Sequence, residues 1–279
     1  MKEASPFPES LLTRIGEQTA IADQKAKELK AAADEAVYIH KVLEKITSFL
    51  NQGWLLHVLA LIDKEAQLLQ KMRADNHPAI SSLEEIYQTT KERAEEFKSY
   101  RFPAYLEEAC CTANLSLDKN SRHPHYKFKN GFFQLDIDEY KKTARLSNTE
   151  TRLCEIPADI GAIVDVVKRE YQRLFERSFD AKKFLKKLRT QYLALLKTEK
   201  LADGSSIPIR NITRRLGKNE KGFRTDEFLI DLSRLVEQDA IEIDGRKLEL
   251  QQTKFAEQGM LLHSASARGY VGFILFKKI

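Results

Sequence analysis

The chain has 279 residues, of which 42% are hydrophobic and 31% are charged, so it can bury a sizeable core under a heavily charged surface. Eleven glycines and seven prolines exclude a collagen-like or low-complexity chain. No apolar run approaches the roughly 20 residues that a membrane span needs, and the first eight residues lack the apolar core of a signal peptide. Three cysteines, two of them adjacent, provide neither a disulfide framework nor a metal knuckle. We therefore expect a cytoplasmic protein without a membrane partner.

Charge is distributed unevenly along the chain, although the net charge is only +5. Residues 1–100 contain 13 basic and 16 acidic side chains, whereas the remainder contains 33 basic and 25 acidic ones. Residues 168–221 alone contain 16 basic and 6 acidic side chains. A basic block beside a neutral to acidic half indicates that the two parts meet different partners.

Residues 1–115 are predicted to form a helical bundle or a long helical hairpin that docks on a partner. Between residue 10 and about residue 50 the chain contains no proline, and small or apolar residues recur every three and four positions. This weak heptad seam consists of Ala22, Ala26, Leu29, Ala33, Ala36, His40, Leu43, Thr47 and Leu50. Its small side chains favour close packing against another helix. Further helices are predicted over residues 54–73, 81–98 and 104–113.

Residues 116–156 are predicted to form a β-hairpin that connects two helical parts. The segments 126–128 and 132–137 are typical of strands, and Asn130-Gly131 between them is a strong signal for a hairpin turn. Residues 143–146 can add a third strand.

Residues 157–279 are predicted to form a helix followed by a compact module. Asp180 is expected to cap one of its helices, and Asp244-Gly245 to form the turn of a hairpin. The elements are helices over 158–177, 180–198, 209–216 and 225–238, and strands over 240–243, 248–251, 259–263 and 270–276. The short helix is expected to stop at Gly217. The predicted fold class is therefore mainly α with a small β component.

The order of helix, short helix, helix and hairpin in the last hundred residues resembles that of winged helix-turn-helix domains. The resemblance is carried by the short helix, the third helix and the hairpin, and it covers about a third of the chain. A helical N-terminal half followed by a winged helix is also similar to accessory subunits of SMC-type ATPases. Those subunits include kleisin-like bridges and the middle components of defence systems such as Lamassu. This similarity implies an SMC-type ATPase as partner and a winged helix that docks on protein or on DNA.

Sequence motifs for catalysis are absent, because the chain lacks GxxxxGK[ST], GxGxxG, HExxH and GxSxG. The candidate metal site is the pair His123 and His125, since residues two apart on a strand face the same side. Asp136 and Asp138 on the partner strand can supply oxygen ligands. A solvated polar hairpin face is the simpler interpretation, because a closed site needs four ligands aimed at one ion. The three cysteines are interpreted as packing residues: Cys110, Cys111 and Cys154.

The basic block carries the main functional prediction. In a winged helix, the second helix, the turn after it and the wing can all face the phosphate backbone of a duplex. The third helix begins with acidic and apolar residues, so sequence-specific readout is not expected. A solvated charged face and a protein-docking face are the alternatives. The predicted nucleic-acid-binding residues are Lys182, Lys183, Lys186, Lys187, Arg210, Arg214, Arg215, Lys218, Lys221, Arg224, Arg246 and Lys247.

Three functional hypotheses follow from these patterns. The first is a non-enzymatic accessory subunit of a DNA-handling complex, such as an SMC-like ATPase in anti-phage or anti-plasmid defence, which binds a partner protein and non-specific double-stranded DNA. The second is a free-standing winged-helix transcriptional regulator that dimerises through its long helix. The third is a metal-dependent enzyme that uses the hairpin of His123 and His125. The first needs no cofactor, and the long helix also allows a homodimer.

Overall fold

The computed structural model of the chain describes residues 8–96, 99–255, 257–263 and 270–279. The predictions for residues 1–7 and for a helix end at Lys98 lie outside the described residues. The chain divides into two compact units, residues 1–94 (the helical unit) and residues 95–279 (the mixed unit). None of the described helices is both long and apolar enough to cross a membrane.

The helical unit has one core, built where amphipathic faces of four helices meet. Its helices are α1 (Glu9–Asn51), α2 (Leu55–Lys64), α3 (Ala66–Ala74) and α4 (Ile80–Glu96). The buried core residues are Val42, Ile46, Val58, Ile62, Leu69, Met72 and Leu83. The single helix predicted over residues 54–73 is interrupted at Glu65, whose carboxylate accepts hydrogen bonds of 2.9 Å from the Tyr38 hydroxyl.

The heptad seam of α1 is not the face that packs in this unit. Within the unit, α1 buries Val42 and Ile46, and Ile39 and Phe49 pack beside them. This stripe lies one residue away from the seam, which corresponds to about 100° around the helix. Of the nine seam residues only Leu43 is partly buried. Apart from Leu43, the seam is therefore open to solvent along α1.

The first half of the mixed unit is an antiparallel sheet covered by helices. Its elements are α5 (Phe102–Thr112), β1 (His125–Phe128), β2 (Phe133–Asp138), β3 (Thr143–Asn148), β4 (Arg152–Pro157) and α6 (Ile160–Tyr171), which a π-helical segment (Gln172–Glu176) continues. The strands pair in chain order, and Asn130 and Gly131 have positive φ in the predicted turn. The hairpin prediction is confirmed and extended to four strands. Leu106 and Cys110 of α5 pack in the core of this sheet, and α5 belongs to the mixed unit.

The second half of the mixed unit packs three helices on a second antiparallel sheet. Its elements are α7 (Ala181–Glu199), β5 (Ile207–Pro208), α8 (Ile209–Asn219), α9 (Thr225–Glu237), β6 (Glu242–Ile243), β7 (Arg246–Thr253), β8 (Met260–Leu261) and β9 (Tyr270–Lys278). The strand order is β5-β9-β7-β6, and β8 also pairs with β9.

The predicted local signals of this half are mostly confirmed. Asp180 caps α7 by accepting a hydrogen bond from the Lys183 amide, and Asp244 and Gly245 form a turn with positive φ. The predicted end of α8 at Gly217 is wrong, because the helix continues to Asn219 with Gly217 on its exposed side. The chain is thus a mixture of helices and two antiparallel sheets, with more strand than the sequence predicts.

Candidate nucleic-acid interface

The third helix of the second half, α9, is enclosed on nearly all sides. Phe228, Leu229 and Leu232 pack in the core of the second sheet. Ile230 belongs instead to the core of the first sheet. Within α9, Glu237 is the only residue with an exposed side chain. A helix enclosed in this way has no open face to enter a major groove, which is where base edges are read.

An ion-pair network anchors the first turn of α9. Asp226 is 1% exposed and accepts hydrogen bonds from Arg173 at 2.7 Å, from Asn148 at 3.0 Å and from Arg224 at 3.1 Å. Burial opposes ionisation of this carboxyl, but the hydrogen bonds from the two arginines outweigh it and lower the pKa of Asp226. Arg173 also bridges to Glu227 at 2.5 Å. The network therefore ties α9 to the π-helical segment and to β3.

A second set of contacts holds the middle of α9 against the π-helical segment. Arg177 pairs with Asp231 at 2.6 Å, and Arg234 donates to the backbone carbonyls of Phe175 and Arg177. Burial raises the pKa of Asp231 despite the neighbouring Arg177. These charged groups make internal contacts, so they add little charge to the surface that a ligand could meet.

Three of the twelve predicted nucleic-acid-binding residues are engaged in contacts within the fold, although Arg224 stays exposed. Arg210 donates to the Glu150 carboxylate at 3.2 Å and to the Gly259 carbonyl at 2.7 Å. Arg246 contacts Asp203 at 2.9 Å and donates to the Phe276 carbonyl at 3.0 Å. Arg224 belongs to the network at Asp226 described above. These arginines position loops and strands, and they are not available as a group to contact phosphates.

Three further predicted residues lie where α7 meets the end of α8. Lys187 on α7 pairs with Glu220 at 2.5 Å, directly after α8. Arg215 donates to Gln191 at 3.1 Å, which also joins α8 to α7. Arg214 is exposed and donates to Asn211, one turn earlier on α8, at 3.3 Å. The exposed sides of the two helices are therefore neighbours.

The remaining predicted lysines form the open part of the basic block. Lys182, Lys183 and Lys186 are exposed within two turns of α7, and Lys218 and Lys221 flank Glu220. Since Lys187 pairs with Glu220, these two groups of lysines adjoin. Among the residues that the structure describes, none of the five has an ion-pair partner. We call the resulting surface the lysine face: Lys182, Lys183, Lys186, Lys187, Lys218 and Lys221.

Two further exposed lysines, Lys247 and Lys197, are not part of the lysine face as defined here. Lys247 is exposed on β7, opposite Lys277 of β9, and so belongs to the second sheet. Lys197 was not singled out by the sequence analysis, but it is exposed on α7 three turns after Lys186 and continues the same side of the helix. The sequence feature that could have identified Lys197 is its spacing of 11 residues from Lys186, which places both lysines on one side of a helix.

The candidate metal ligands on the first hairpin do not converge on one point. His123 contacts the Tyr126 hydroxyl at 3.0 Å and Glu139 at 2.7 Å, whereas His125 contacts Asp136 at 2.6 Å. Asp138 accepts a hydrogen bond from the Lys141 amide at 2.9 Å. The two imidazoles therefore engage separate carboxylates, and no group of three metal-ligating side chains occurs within the described parts of the chain.

Cys110 is buried and Cys154 is half-buried, as expected of packing residues, whereas Cys111 is exposed, so its interpretation as a packing residue is wrong. Cys110 is buried in the core of the first sheet, where burial and the nearby Glu107 raise the pKa of its thiol to about 11. Burial also raises the pKa of Cys154. Because the thiolate is the nucleophilic form, neither side chain is activated at neutral pH.

Comparison with family models, curated proteins and solved structures gives no match. The resemblances to winged-helix domains and to accessory subunits of SMC-type ATPases stay predictions. What distinguishes the site is its geometry: a face of six lysines, five of them without an ion-pair partner among the described residues, next to a third helix that is enclosed.

Proposed function

We propose that this chain is a non-enzymatic accessory subunit of a DNA-handling complex that holds double-stranded DNA without reading its sequence. The observation that carries the proposal is the lysine face, where five of the six side chains lack an ion-pair partner among the described residues. A cluster of positive side chains of this kind attracts the phosphates of a duplex and releases their counterions, whatever the base sequence.

The proposed duplex contact uses α7 and the end of α8. In this proposal α7, α8, α9 and the β6–β7 hairpin form a winged-helix module whose third helix does not enter the groove. Asp226 and its partners enclose α9. This supports a winged helix that differs from those that read sequence, because a buried helix has no side chains that can reach base edges. Contacts to phosphate alone give binding that is weak, salt-sensitive and insensitive to sequence.

The helical unit is proposed to dock on a partner protein, an SMC-type ATPase being the class that the layout of the chain implies. A cavity of about 630 Å³ between α2, α3 and α4 supports the docking role. It is lined by apolar side chains such as Leu69 and Tyr87 and by the charged groups Asp63, Arg73 and Glu84. A partner helix can insert apolar side chains into such a groove and place charges at its rim.

The two alternative functions lack a supporting observation. A free-standing transcriptional regulator needs side chains that reach base edges, and the helix expected to supply them is enclosed. A metal-dependent enzyme on the hairpin needs converging ligands, but His123 and His125 engage different carboxylates. Neither function is proposed.

Binding of the full chain to two unrelated random-sequence duplexes, followed by fluorescence anisotropy at about 50 and 200 mM salt, tests the proposal. Equal affinity for both duplexes and a steep loss of affinity at the higher salt are expected. Charge reversal by Lys182→Glu with Lys186→Glu should abolish binding. The matched control, Lys119→Glu with Lys141→Glu, makes the same charge change on exposed residues near the first sheet and should bind more tightly than the first variant. No binding at the lower salt, or equal loss in both variants, would refute DNA binding by the lysine face.

A further inference from the structure

The N-terminal part of α1 extends away from the core of the helical unit. Every residue from 8 to 34 is exposed, and the first buried side chain of the helix is Val42. Residues 9–34 span about 39 Å at 1.5 Å per residue. An isolated helix is marginally stable in water and draws most of its stability from packing of an apolar face. This segment therefore presents a face that another helix is needed to cover.

The apolar face of this segment continues the heptad seam towards the N-terminus. Its members are spaced alternately by three and four residues and are all exposed: Leu12, Ile15, Thr19, Ala22, Ala26, Leu29 and Ala33. The stripe that packs farther along α1 is interrupted by polar residues in the same segment, because Arg14, Gln18, Lys25 and Glu28 alternate there with Leu11, Ile21 and Ala32. The apolar face of the core is thus broken by charged residues here, whereas the seam contains none.

We propose that this seam is covered by the same seam of a second copy of the chain, in an antiparallel coiled coil over residues 9–32. In the register that we assign, Leu12 faces Leu29 of the second copy. Ile15 then faces Ala26, and Thr19 faces Ala22, so a larger side chain meets a smaller one in those layers. Two-fold symmetry repeats each layer, which gives six layers in all.

The charges that flank the seam select this register and orientation. With Leu12 opposite Leu29, Glu9 lies beside Lys30 of the second copy, and symmetry makes this attraction twice. A parallel arrangement in register instead places Lys25 beside Lys30 twice. Shifting the antiparallel pair by one heptad places Asp23 against Asp23 and Lys25 against Lys25. Flanking charges of this kind determine partner and orientation in coiled coils, because like charges repel across the seam.

The extent of the face also fits a second copy. The assigned overlap ends at Ala32, before the part of α1 that packs on α2–α4 begins, so it leaves the core of the helical unit intact. The many alanines allow the two helices to approach closely but bury little area for each layer. The dimer is accordingly expected to be concentration-dependent.

Sedimentation of the full chain from about 5 to about 200 µM tests the dimer, since mass action shifts an equilibrium of this kind with concentration. The expected result is a rise from monomer to dimer mass. Leu29→Glu places a charge in the seam and should keep the chain monomeric. The matched control is Ile21→Glu, which changes an equally exposed apolar residue off the seam and should still dimerise. A monomer at every concentration, or the same effect of both substitutions, would overturn the proposal and leave the face to another protein.

The orientation is tested with charge reversals at the flanks. In the antiparallel register, Lys30→Glu places two carboxylates together and should weaken the dimer, and adding Glu9→Lys should restore it. In a parallel pair, Lys30→Glu would relieve the repulsion with Lys25 and strengthen the dimer. A stronger dimer in the single variant would therefore overturn the antiparallel assignment.

Discussion

Arginines and lysines of the same basic block have different roles, according to what lies within reach of each. Arg210 and Arg246 each contact a carboxylate and a backbone carbonyl, whereas Lys182 and Lys186 point into solvent. A buried charge is tolerated only when it is paired, so the guanidinium groups near the core acquire partners and the exposed ammonium groups need none. The charge that can act on a ligand is therefore smaller than the block contains.

Substitution of Asp226 is expected to destabilise the mixed unit strongly. Asp226→Ala would leave Arg173, Arg224 and Asn148 without their shared acceptor, and breaking a buried pair in this way costs about 3 kcal/mol. Denaturant unfolding measures the loss of free energy. The control Asp165→Ala removes an exposed carboxylate on α6 and should change the free energy of unfolding by only about 0.5 kcal/mol. Similar losses in both variants would show that Asp226 is not an anchor.

His263 is expected to make the stability of the mixed unit depend on pH. Burial and the nearby Lys129 lower the pKa of this imidazole, and Asp118 and Glu237 oppose that effect. Its ring packs against Phe132 and Phe175, so protonation places a charge among aromatic rings. A lowered histidine pKa means that the unfolded chain binds the proton more readily. The free energy of unfolding should therefore fall as the pH drops below about 6.5.

The replacement His263→Gln removes this titrating group. Unfolding free energies of the two proteins, measured between about pH 7.5 and 5.5, should differ in slope, with the steeper decline in the wild type. Parallel curves would contradict the assignment of the pH dependence to this residue.

At the scale of elements, the helices and turns with local causes were predictable. The cap at Asp180 and the turns at Asn130-Gly131 and Asp244-Gly245 depend only on neighbouring residues, and they are confirmed. The strand β4 was missed because its side chains do not alternate between buried and exposed, as those of β2 do. Strand formation here depends on pairing with β3, which is a tertiary effect.

The features that decide the candidate site depend on distant residues. The enclosure of α9 arises because Asp226 meets Asn148 and Arg173, which lie 78 and 53 residues away in the chain. The internal contacts of Arg210 also connect distant segments, at Glu150 and Gly259. The sequence pattern contains no sign of these pairings. It shows which residues are basic, but not which of them make internal ion pairs or hydrogen bonds.

Two glycines of the second half should respond oppositely to alanine. Gly217 lies within α8, and an added Cβ would meet only Phe223 at 3.6 Å, so Gly217→Ala should stabilise the protein by about 0.5–1 kcal/mol. Gly245 has a φ of +67° in the β6–β7 turn, so Gly245→Ala should destabilise the protein by about 1 kcal/mol. Thermal unfolding measures both changes. Destabilisation by Gly217→Ala would contradict the continuous helix through that position.

At the scale of the whole molecule, the two units have separate cores. The core of the helical unit contains residues between Ile39 and Tyr87, and the two cores of the mixed unit contain residues from Phe102 onwards. No described residue belongs to cores of both units. Each unit is therefore expected to fold without the other.

Expression of residues 95–279 alone tests this independence. The fragment should unfold cooperatively and retain the DNA affinity of the full monomer, because it contains the entire lysine face. A fragment that fails to unfold cooperatively would show that the mixed unit needs the helical unit for its stability.

Dimerisation through α1 would have a consequence for DNA binding. Two lysine faces joined in one particle bind a duplex more tightly than one face does, provided that both can reach it. Leu29→Glu would then reduce the apparent affinity for long duplexes without altering the lysine face, and it would have little effect on a duplex that accommodates a single face.

The central claim is that the lysine face contacts phosphates, and the salt dependence of binding tests it most directly. Each phosphate contact contributes about 0.9 to the slope of log affinity against log salt. Lys182→Gln with Lys186→Gln should therefore reduce that slope by roughly 1.8, whereas Lys119→Gln with Lys141→Gln should leave it unchanged. Equal slopes for the wild type and the lysine-face variant would contradict the account.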